Sequence, residues 1–119
     1  MEMKTYQGGC HCGAYRYEVD TTLEKVISCN CSRCHKMGLV LTFVPATQFR
    51  LTAGDDTTLT DYRFNKKVIQ HLFCPTCGVE SFAKATNKEG VDTRAINVRC
   101  LDDVDLESLT ITPVNGKDY

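Results

Sequence analysis

The chain has 119 residues, of which 14 are basic and 15 are acidic, and 42% of its residues are hydrophobic. This length predicts a single domain over residues 1–119, with one core small enough to gain from cross-links or bound metal. Because the charges nearly cancel, no strong field draws nucleic acid or a membrane surface to the protein, and we expect neither as a partner.

The cysteines are the most informative residues. Residues 1–7 lack the apolar run of a signal peptide, and no stretch approaches the roughly 20 apolar residues of a membrane span, so we expect a cytoplasmic protein. In a reducing compartment, eight cysteines are more often metal ligands or reactive thiols than disulfides. Seven of them form three tight clusters spaced Cys-x-Cys, Cys-x-Cys-x-x-Cys and Cys-x-x-Cys, which suits metal binding better than long-range bridges.

The first cluster is formed by Cys10 and Cys12, and glycines flank it. Side chains at positions i and i+2 of a regular strand run parallel, so two thiolates that converge on one ion need a local turn, which the glycines permit. Aromatic and β-branched residues then predict two short strands, at residues 14–19 and 25–28.

The second cluster, Cys29, Cys31 and Cys34, directly follows the second of these strands. Ser32 is predicted to cap a short helical turn that ends at Gly38. Three thiolates are one ligand short of a closed tetrahedral site; structural zinc is normally four-coordinate, whereas catalytic zinc keeps one position open. Water, a histidine or an external thiol can fill that position, and a protein ligand there would make this ion structural as well. We expect an external thiol, because zinc accepts soft thiolate ligands.

The remainder alternates short apolar runs with turn residues, which is typical of an all-β domain of antiparallel hairpins. The third cluster, Cys74 and Cys77, precedes Gly78 and indicates a zinc knuckle, in which backbone amides donate to the first thiolate and the glycine adopts a positive φ. The further predicted strands are residues 40–44, 49–52, 58–64, 68–73, 80–85, 93–101 and an edge strand at 109–112.

The spacing leaves two ways to group the clusters. Cys10 and Cys12 together with Cys74 and Cys77 supply the four thiolates of a closed structural zinc and tie distant parts of the chain together. Alternatively, the third cluster joins the second and leaves the first incomplete. The spacing alone does not choose between these pairings.

The remaining cysteine and the histidines have plainer interpretations. Cys100 alternates in phase with Ile96, which favours a buried core thiol over a ligand. His11 and His35 lie beside ligand cysteines, where a solvated or supporting role is commoner than acid or base catalysis. His71 alternates with apolar residues and is interpreted as a packed strand residue.

Two small basic groups are candidates for binding an anionic thiol. Arg33 and Lys36 lie in or beside the second cluster, and Arg63, Lys66 and Lys67 lie in a predicted hairpin. Such groups can hold the carboxylates of a thiol such as glutathione, although a solvated face is the commoner role of a charge run.

Four motifs occur in a distinctive order: Gly-Gly-Cys-His-Cys-Gly at residues 8–13, Cys-Asn-Cys-Ser-Arg-Cys at 29–34, Phe-Cys-Pro-Thr-Cys-Gly at 73–78 and Asn-Val-Arg-Cys-Leu-Asp-Asp at 97–103. Together they resemble the family of glutathione-dependent formaldehyde-activating enzymes, which shares its domain with centromere protein V. The resemblance covers nearly the whole chain. It implies an all-β, Mss4-like, zinc-stabilised fold of short antiparallel strands.

The resemblance also implies two zinc ions with different roles. The structural zinc is assigned to Cys10, Cys12, Cys74 and Cys77, and the catalytic zinc to Cys29, Cys31 and Cys34. The activity named for the family is the condensation of formaldehyde with glutathione to S-hydroxymethylglutathione, a reaction of the carbon–sulfur lyase class. The resemblance thus implies an enzyme that acts on glutathione or another small thiol and an aldehyde. A non-catalytic zinc-binding module and a glutathione carrier are the alternatives, and the oligomeric state is left open.

Overall fold

The computed structural model describes residues 2–63, 69–87 and 89–114, which contain ten short strands and one six-residue α-helix. The all-β prediction is confirmed. None of the helices in these ranges is long and apolar enough to cross a membrane. The elements are β1 (Lys4–Gly9), β2 (Arg16–Thr21), β3 (Val26–Cys29), α1 (Ser32–Met37), β4 (Val40–Pro45), β5 (Phe49–Ala53), β6 (Thr60–Tyr62), β7 (Gln70–Phe73), β8 (Phe82–Thr86), β9 (Asp92–Asn97) and β10 (Ile111–Val114).

The strands form two sheets. The smaller sheet has the order β1-β2-β5 and is antiparallel, and the larger sheet has the order β10-β3-β4-β9-β8-β7-β6. In the larger sheet β10 pairs in parallel with β3, while the other neighbouring strands pair antiparallel. The predicted edge strand is confirmed, since β10 lies at one edge of this sheet.

Aromatic side chains hold the two sheets together. Tyr17 of β2 and Phe49 of β5 meet Phe82 of β8, with ring centroids 4.6–5.9 Å apart. The Tyr17 hydroxyl donates a hydrogen bond to the carbonyl of Ser81 at 3.1 Å, and burial raises the pKa of Tyr17 far above its ordinary value. The buried polar atom thus has a partner, as an interior hydroxyl requires.

The larger sheet has two different faces because successive strand residues point to opposite sides. Phe82 and Ile96 belong to the main core, on the face toward the smaller sheet, which we call the core face. Their neighbours Ala83 and Ala95 point to the opposite side, the helix face, where they pack with Cys34 of α1. The sheet therefore separates the main core from the helix that carries part of the second cysteine cluster.

One strand was not predicted, and another was predicted too long. The polar start of the chain was not predicted as a strand, yet β1 pairs with β2 from Lys4 opposite Thr21 to Gly9 opposite Arg16. Residues 93–101 were predicted as one strand, but β9 ends at Asn97. The Asn97 side chain accepts a hydrogen bond from the Arg99 amide at 3.1 Å, which turns the chain into a 3₁₀ helix.

The prediction of a strand at residues 58–64 is also corrected. Asp55 caps a 3₁₀ turn at Asp56–Thr58 by accepting a hydrogen bond from the amide of Thr57, so β6 begins only at Thr60. Phe64 and Val68, the ends of two predicted strands, lie outside the described residues.

Candidate metal centres

The first and third cysteine clusters come together into one group, the four-cysteine cluster. The sulfur atoms of Cys10, Cys12, Cys74 and Cys77 all lie within 4.8 Å of one another. The Cys12 sulfur is 3.7 Å from that of Cys10 and 3.6 Å from that of Cys74. Zinc–sulfur bonds of about 2.3 Å in a tetrahedron place sulfurs about 3.8 Å apart. The donor set and the spacing therefore fit a zinc ion, and the grouping is the one that the family resemblance implies.

The turn at Cys74 has the hydrogen bonds predicted for a zinc knuckle. The Cys74 sulfur accepts from the amides of Thr76 at 3.4 Å and Cys77 at 3.5 Å. Gly78 then adopts a φ of +79°, and its amide donates to the Cys74 carbonyl at 2.8 Å. The amide dipoles stabilise negative charge on the sulfur, which is the form that binds a metal.

The four-cysteine cluster is built into the main core. Cys10 is 5% exposed and Cys74 is fully buried, and both pack with the core-face residues. Cys12 and Cys74 are 62 residues apart along the chain. An ion held here would connect the loop after β1 to the loop after β7.

The second cluster, which we call the three-cysteine cluster, lies on the helix face. Cys29 ends β3, Cys31 precedes α1 and Cys34 lies within α1, and their sulfurs are all within 4.8 Å of one another. Across the described ranges, no further cysteine, histidine or carboxylate joins this group. These sulfurs fit three of the four positions of a tetrahedral zinc site.

The cap of α1 differs from the prediction. Ser32 is the first helical residue and not the N-cap; the cap is Cys31, whose sulfur accepts a hydrogen bond from the Cys34 amide at 3.3 Å. Gly38 ends the helix with a φ of 67°, as predicted. A candidate ligand thus also fixes the start of the helix that holds the next one.

Amide donors and neighbouring thiols shift the pKa values of two cysteines in the four-cysteine cluster in opposite directions. Burial acts to raise the pKa of Cys77, but hydrogen bonds from the backbone of Cys12 and Val79 lower it to about 6. For Cys12, the backbone of Ala14 acts to lower the pKa, whereas Cys74 and the other thiols outweigh it and raise the value to about 11. One thiol of the group thus ionises readily while another retains its proton.

In the three-cysteine cluster, too, the pKa of one thiol is lowered and that of another is raised. Burial raises the pKa of Cys34 well above its ordinary value, and Cys31 adds to the shift. Burial also acts against ionisation of Cys31, but hydrogen bonds from Cys34 outweigh it and lower its pKa. Cys31 is therefore the thiol that is prepared to carry negative charge.

A pocket of about 400 Å³ opens beside the three-cysteine cluster. Its volume falls within the range of about 300–1,000 Å³ that is usual for small-molecule sites. Arg99 contributes to its wall, and its Nε donates to the Gly38 carbonyl at 3.1 Å. Within the described ranges, Arg99 has no carboxylate partner. The lining includes Cys29, Cys34, His35, Leu39, Pro113 and Val114.

The basic groups singled out in the sequence are placed differently. Arg33 is partly buried and not on a solvated face, and it pairs with the buried carboxylate of Glu80 at 2.9 Å. Arg63 pairs with Asp61 at 2.9 Å, and Lys36 is exposed. Lys66 and Lys67 lie outside the described residues.

Sequence reasoning missed two residues near the three-cysteine cluster. Arg99 lies in the motif at residues 97–103, which was the available signal, although nothing marked it as part of a pocket. Glu80 follows the knuckle and is 2% exposed. A lone glutamate at the start of a predicted strand gives no indication that it is buried.

The three histidines and Cys100 lie outside both clusters. His71 is buried in β7, with its Nδ1 3.1 Å from Glu80 Oε2, while His11 and His35 are exposed. Cys100 is partly buried in the 3₁₀ helix after β9, and burial raises its pKa to about 11.

The fold and the two clusters define a small all-β protein with two cysteine groups that can hold metal ions, a donor set compatible with zinc. The model of the family described as glutathione-dependent formaldehyde-activating enzyme matches residues 5–114, and the chain belongs to this family. Among solved structures, the chain is similar to the crystal structure of a Rhodobacter sphaeroides protein determined as a structural genomics target. The TM-score is 0.76 and the sequence identity 28%, with 90% of this chain and 97% of that chain covered.

Proposed function

We propose that this protein is a zinc-dependent enzyme of the carbon–sulfur lyase type that acts on glutathione, or another small thiol, and an aldehyde such as formaldehyde. The observation that carries the proposal is the pocket of about 400 Å³ that is lined by two cysteines of the three-cysteine cluster and by Arg99. Membership of the formaldehyde-activating family supports the same chemistry.

The two clusters have different roles in this proposal. Cys10, Cys12, Cys74 and Cys77 hold a structural zinc, because four thiolates complete its coordination. Cys29, Cys31 and Cys34 hold a second zinc and are the catalytic residues. Zinc bound by three thiolates supplies a Lewis acid, which lowers the pKa of a thiol and polarises an aldehyde oxygen.

The reaction itself asks little covalent chemistry of the protein. The thiol sulfur adds to the aldehyde carbon, a carbon–sulfur bond forms, and the thiol proton ends on the aldehyde oxygen as a hydroxyl. The contribution of the chain is to hold the two reactants in contact, and such positioning accelerates bimolecular reactions strongly. Leu39, Pro113 and Val114 supply apolar parts of the pocket wall.

Arg99 gives the pocket a preference for acidic thiols. Its Nε donates to the Gly38 carbonyl at 3.1 Å, which leaves its two terminal nitrogens available to bind the carboxylate of a thiol in this proposal. A guanidinium binds carboxylate through parallel hydrogen bonds, and glutathione carries two carboxylates. A thiol that places a carboxylate on Arg99 has its sulfur in the same pocket as Cys29 and Cys34.

The proposal is tested by titrating glutathione into the cobalt-substituted protein and by measuring S-hydroxymethylglutathione formation above the uncatalysed rate. We expect the thiolate-to-metal charge-transfer band to shift on addition of thiol, together with faster product formation. A shift without acceleration would support the carrier alternative. No shift and no acceleration would support a non-catalytic module, and either result overturns the enzyme.

Arg99→Ala tests the assignment of the carboxylate partner. Loss of one charged hydrogen-bonding group costs about 1.5 kcal/mol, so we expect the half-saturating glutathione concentration to rise about tenfold. Arg50→Ala is the matched control, because Arg50 pairs with Asp20 and Glu18 on the smaller sheet. Equal effects of the two substitutions would contradict a specific role for Arg99.

A further inference from the structure

Glu80 is a buried carboxylate whose two oxygens both have partners. It is 2% exposed. Its Oε1 accepts from Arg33 Nε at 3.1 Å and from Arg33 Nη2 at 2.9 Å, and His71 Nδ1 lies 3.1 Å from Oε2. A buried charge with this many hydrogen bonds has a strongly determined geometry. Removal of Glu80 leaves the partly buried charge of Arg33 without this carboxylate.

The Arg33 guanidinium is also held by aromatic rings on the helix face. Its central carbon lies 4.7 Å from the centroid of the Tyr62 ring and 5.8 Å from that of Phe73. Tyr62 lies opposite His71 in the register of β6 and β7, so both side chains are on one face of the sheet. The side chain of Arg33 therefore connects α1 to β6 and β7 through two aromatic contacts and to the segment before β8 through its ion pair with Glu80.

We propose that Glu80 is a positioning residue for the metal site at the three-cysteine cluster. It fixes Arg33, and through Arg33 it fixes the turn of α1 that carries Cys31 and Cys34. This inference rests on the proposed function, which places an ion at that cluster. Glu80 does not touch the reacting atoms and acts through the shape of the ligand set.

Helix α1 needs such an attachment because it has six residues. Helices this short are unstable alone in water, and tertiary contacts must hold them. Arg33 lies between the two candidate ligands Cys31 and Cys34, so a displacement of its backbone moves both sulfurs. Outer partners that orient metal ligands typically contribute about tenfold to a hundredfold to metal affinity.

The position of Glu80 depends in turn on the knuckle of the four-cysteine cluster. Glu80 comes three residues after Cys77, and the preceding residue accepts a hydrogen bond from the Cys74 amide at 3.1 Å. The Asn97 side chain donates to the Glu80 carbonyl at 3.0 Å. An ordered knuckle thus holds Glu80 in contact with Arg33. We therefore expect metal at the four-cysteine cluster to strengthen zinc binding at the three-cysteine cluster.

The test compares zinc affinities of the parent, Glu80→Gln and Glu18→Gln by competition with chelators, with cobalt spectra to identify each site. Glutamine keeps the size and one acceptor but leaves the Arg33 charge unneutralised. We expect the parent to bind two zinc ions with different affinities, and Glu80→Gln to lower the affinity of the weaker, three-cysteine site about tenfold to a hundredfold. Glu18→Gln, which alters an ion pair on the smaller sheet, should match the parent.

A second background separates a local effect from general destabilisation. In Cys31→Ser, which retains only the four-cysteine cluster, addition of Glu80→Gln should leave the remaining zinc affinity unchanged. An equal loss at both clusters, or two parent-like affinities in Glu80→Gln, would overturn the inference. Binding of one zinc by the parent would overturn the proposed function as well, so the two failures are distinguishable.

Arg33→Lys keeps the test decisive where Glu80→Gln does not fold. Lysine preserves the charge but lacks the planar pair of donors, Nε and Nη2, that Arg33 directs at Oε1 of Glu80. We expect a smaller loss of affinity than in Glu80→Gln, confined to the three-cysteine cluster and visible in its cobalt spectrum. Parent-like affinity in a folded Arg33→Lys variant would contradict positioning through this pair.

Discussion

The two cysteine clusters differ in which parts of the chain they join and in where they lie in the fold. The four-cysteine cluster joins segments whose members Cys12 and Cys74 are 62 residues apart, and it lies partly in the main core. The three-cysteine cluster lies within residues 29–34, on the other face of the larger sheet, beside a pocket. Metal that closes a long loop constrains the unfolded chain strongly, whereas metal held by six consecutive residues constrains it little. The comparison predicts that the first cluster stabilises the fold and the second is available for chemistry.

The supports of the clusters differ in the same way. Backbone amides and buried side chains hold the four-cysteine cluster, with Cys74 fully buried. Side chains hold α1 at its two ends: Arg33 pairs with Glu80 near the start, and Arg99 bonds the Gly38 carbonyl after the end. The three-cysteine cluster is thus positioned by individual side-chain contacts at the two ends of a short helix, and the four-cysteine cluster by the main core.

The largest expected effect is that of Cys74→Ser. It removes the fully buried thiol of the four-cysteine cluster and leaves three candidate ligands. Because structural metal binding is coupled to folding, we expect the free energy of unfolding to fall by several kcal/mol, a large share of the roughly 5–15 kcal/mol typical of a domain. Denaturant unfolding with metal analysis measures both quantities.

Cys100→Ser is the control for that experiment, since Cys100 is a partly buried cysteine outside both clusters. It should retain the parent metal content. If Cys74→Ser unfolded as cooperatively and as late as Cys100→Ser, the four-cysteine cluster would not have a structural role, and the comparison would fail.

Cys31→Ser is expected to affect activity much more than stability. Serine is a good N-cap, so the hydrogen bond from the Cys34 amide can be preserved while the metal loses a thiolate. We expect loss of one metal ion, product formation at the uncatalysed rate and a change of less than about 1 kcal/mol in the free energy of unfolding. Metal analysis, turnover and unfolding on the same preparation check this. A loss of folding would assign the three-cysteine cluster to structure.

Much of this architecture was predictable because the signals are local. Alternating short strands indicated the all-β fold, and the spacing of Cys74, Cys77 and Gly78 indicated a knuckle, whose hydrogen bonds and positive φ are present. The grouping of the first cluster with the third was left open by the spacing. The family resemblance implied it, and the sulfur positions agree.

The remaining features depend on contacts that no local pattern encodes. Strand β1 is polar, and its pairing with β2 defines it. Cys31 displaces Ser32 as the helix cap because its sulfur is directed at the Cys34 amide. Arg33 was interpreted from its charge alone, while the buried partner Glu80 is 47 residues away in the sequence.

Chelation gives a smaller and kinetic distinction between the clusters. An added chelator can reach a partly open site more readily than a buried one, so we expect two phases of zinc release with the three-cysteine cluster first. Activity should disappear with the first phase, and far-UV circular dichroism should change only with the second. Excess glutathione should slow the first phase alone, because the thiol takes the coordination position that the chelator uses. Simultaneous loss of activity and folded structure would contradict separate roles.

The smallest effects are expected from a matched pair of glycine substitutions. Gly78 ends the knuckle with a φ of +79° and Gly38 ends α1 with a φ of +67°, and an added Cβ at either position meets no atom within 4 Å. Only the backbone strain of a left-handed conformation remains, about 1–2 kcal/mol for alanine. Gly78→Ala and Gly38→Ala should therefore lower the free energy of unfolding by similar amounts, while asparagine at either position, which tolerates this conformation, should cost less.

The effects of the two alanine substitutions on function should differ. We expect Gly78→Ala to weaken zinc binding at the four-cysteine cluster, and Gly38→Ala to shift the carbonyl that holds Arg99 and weaken glutathione binding. Zinc competition and glutathione titration on both variants measure this. Weaker glutathione binding in Gly78→Ala than in Gly38→Ala would contradict the assignment of the glutathione site to the pocket beside Gly38.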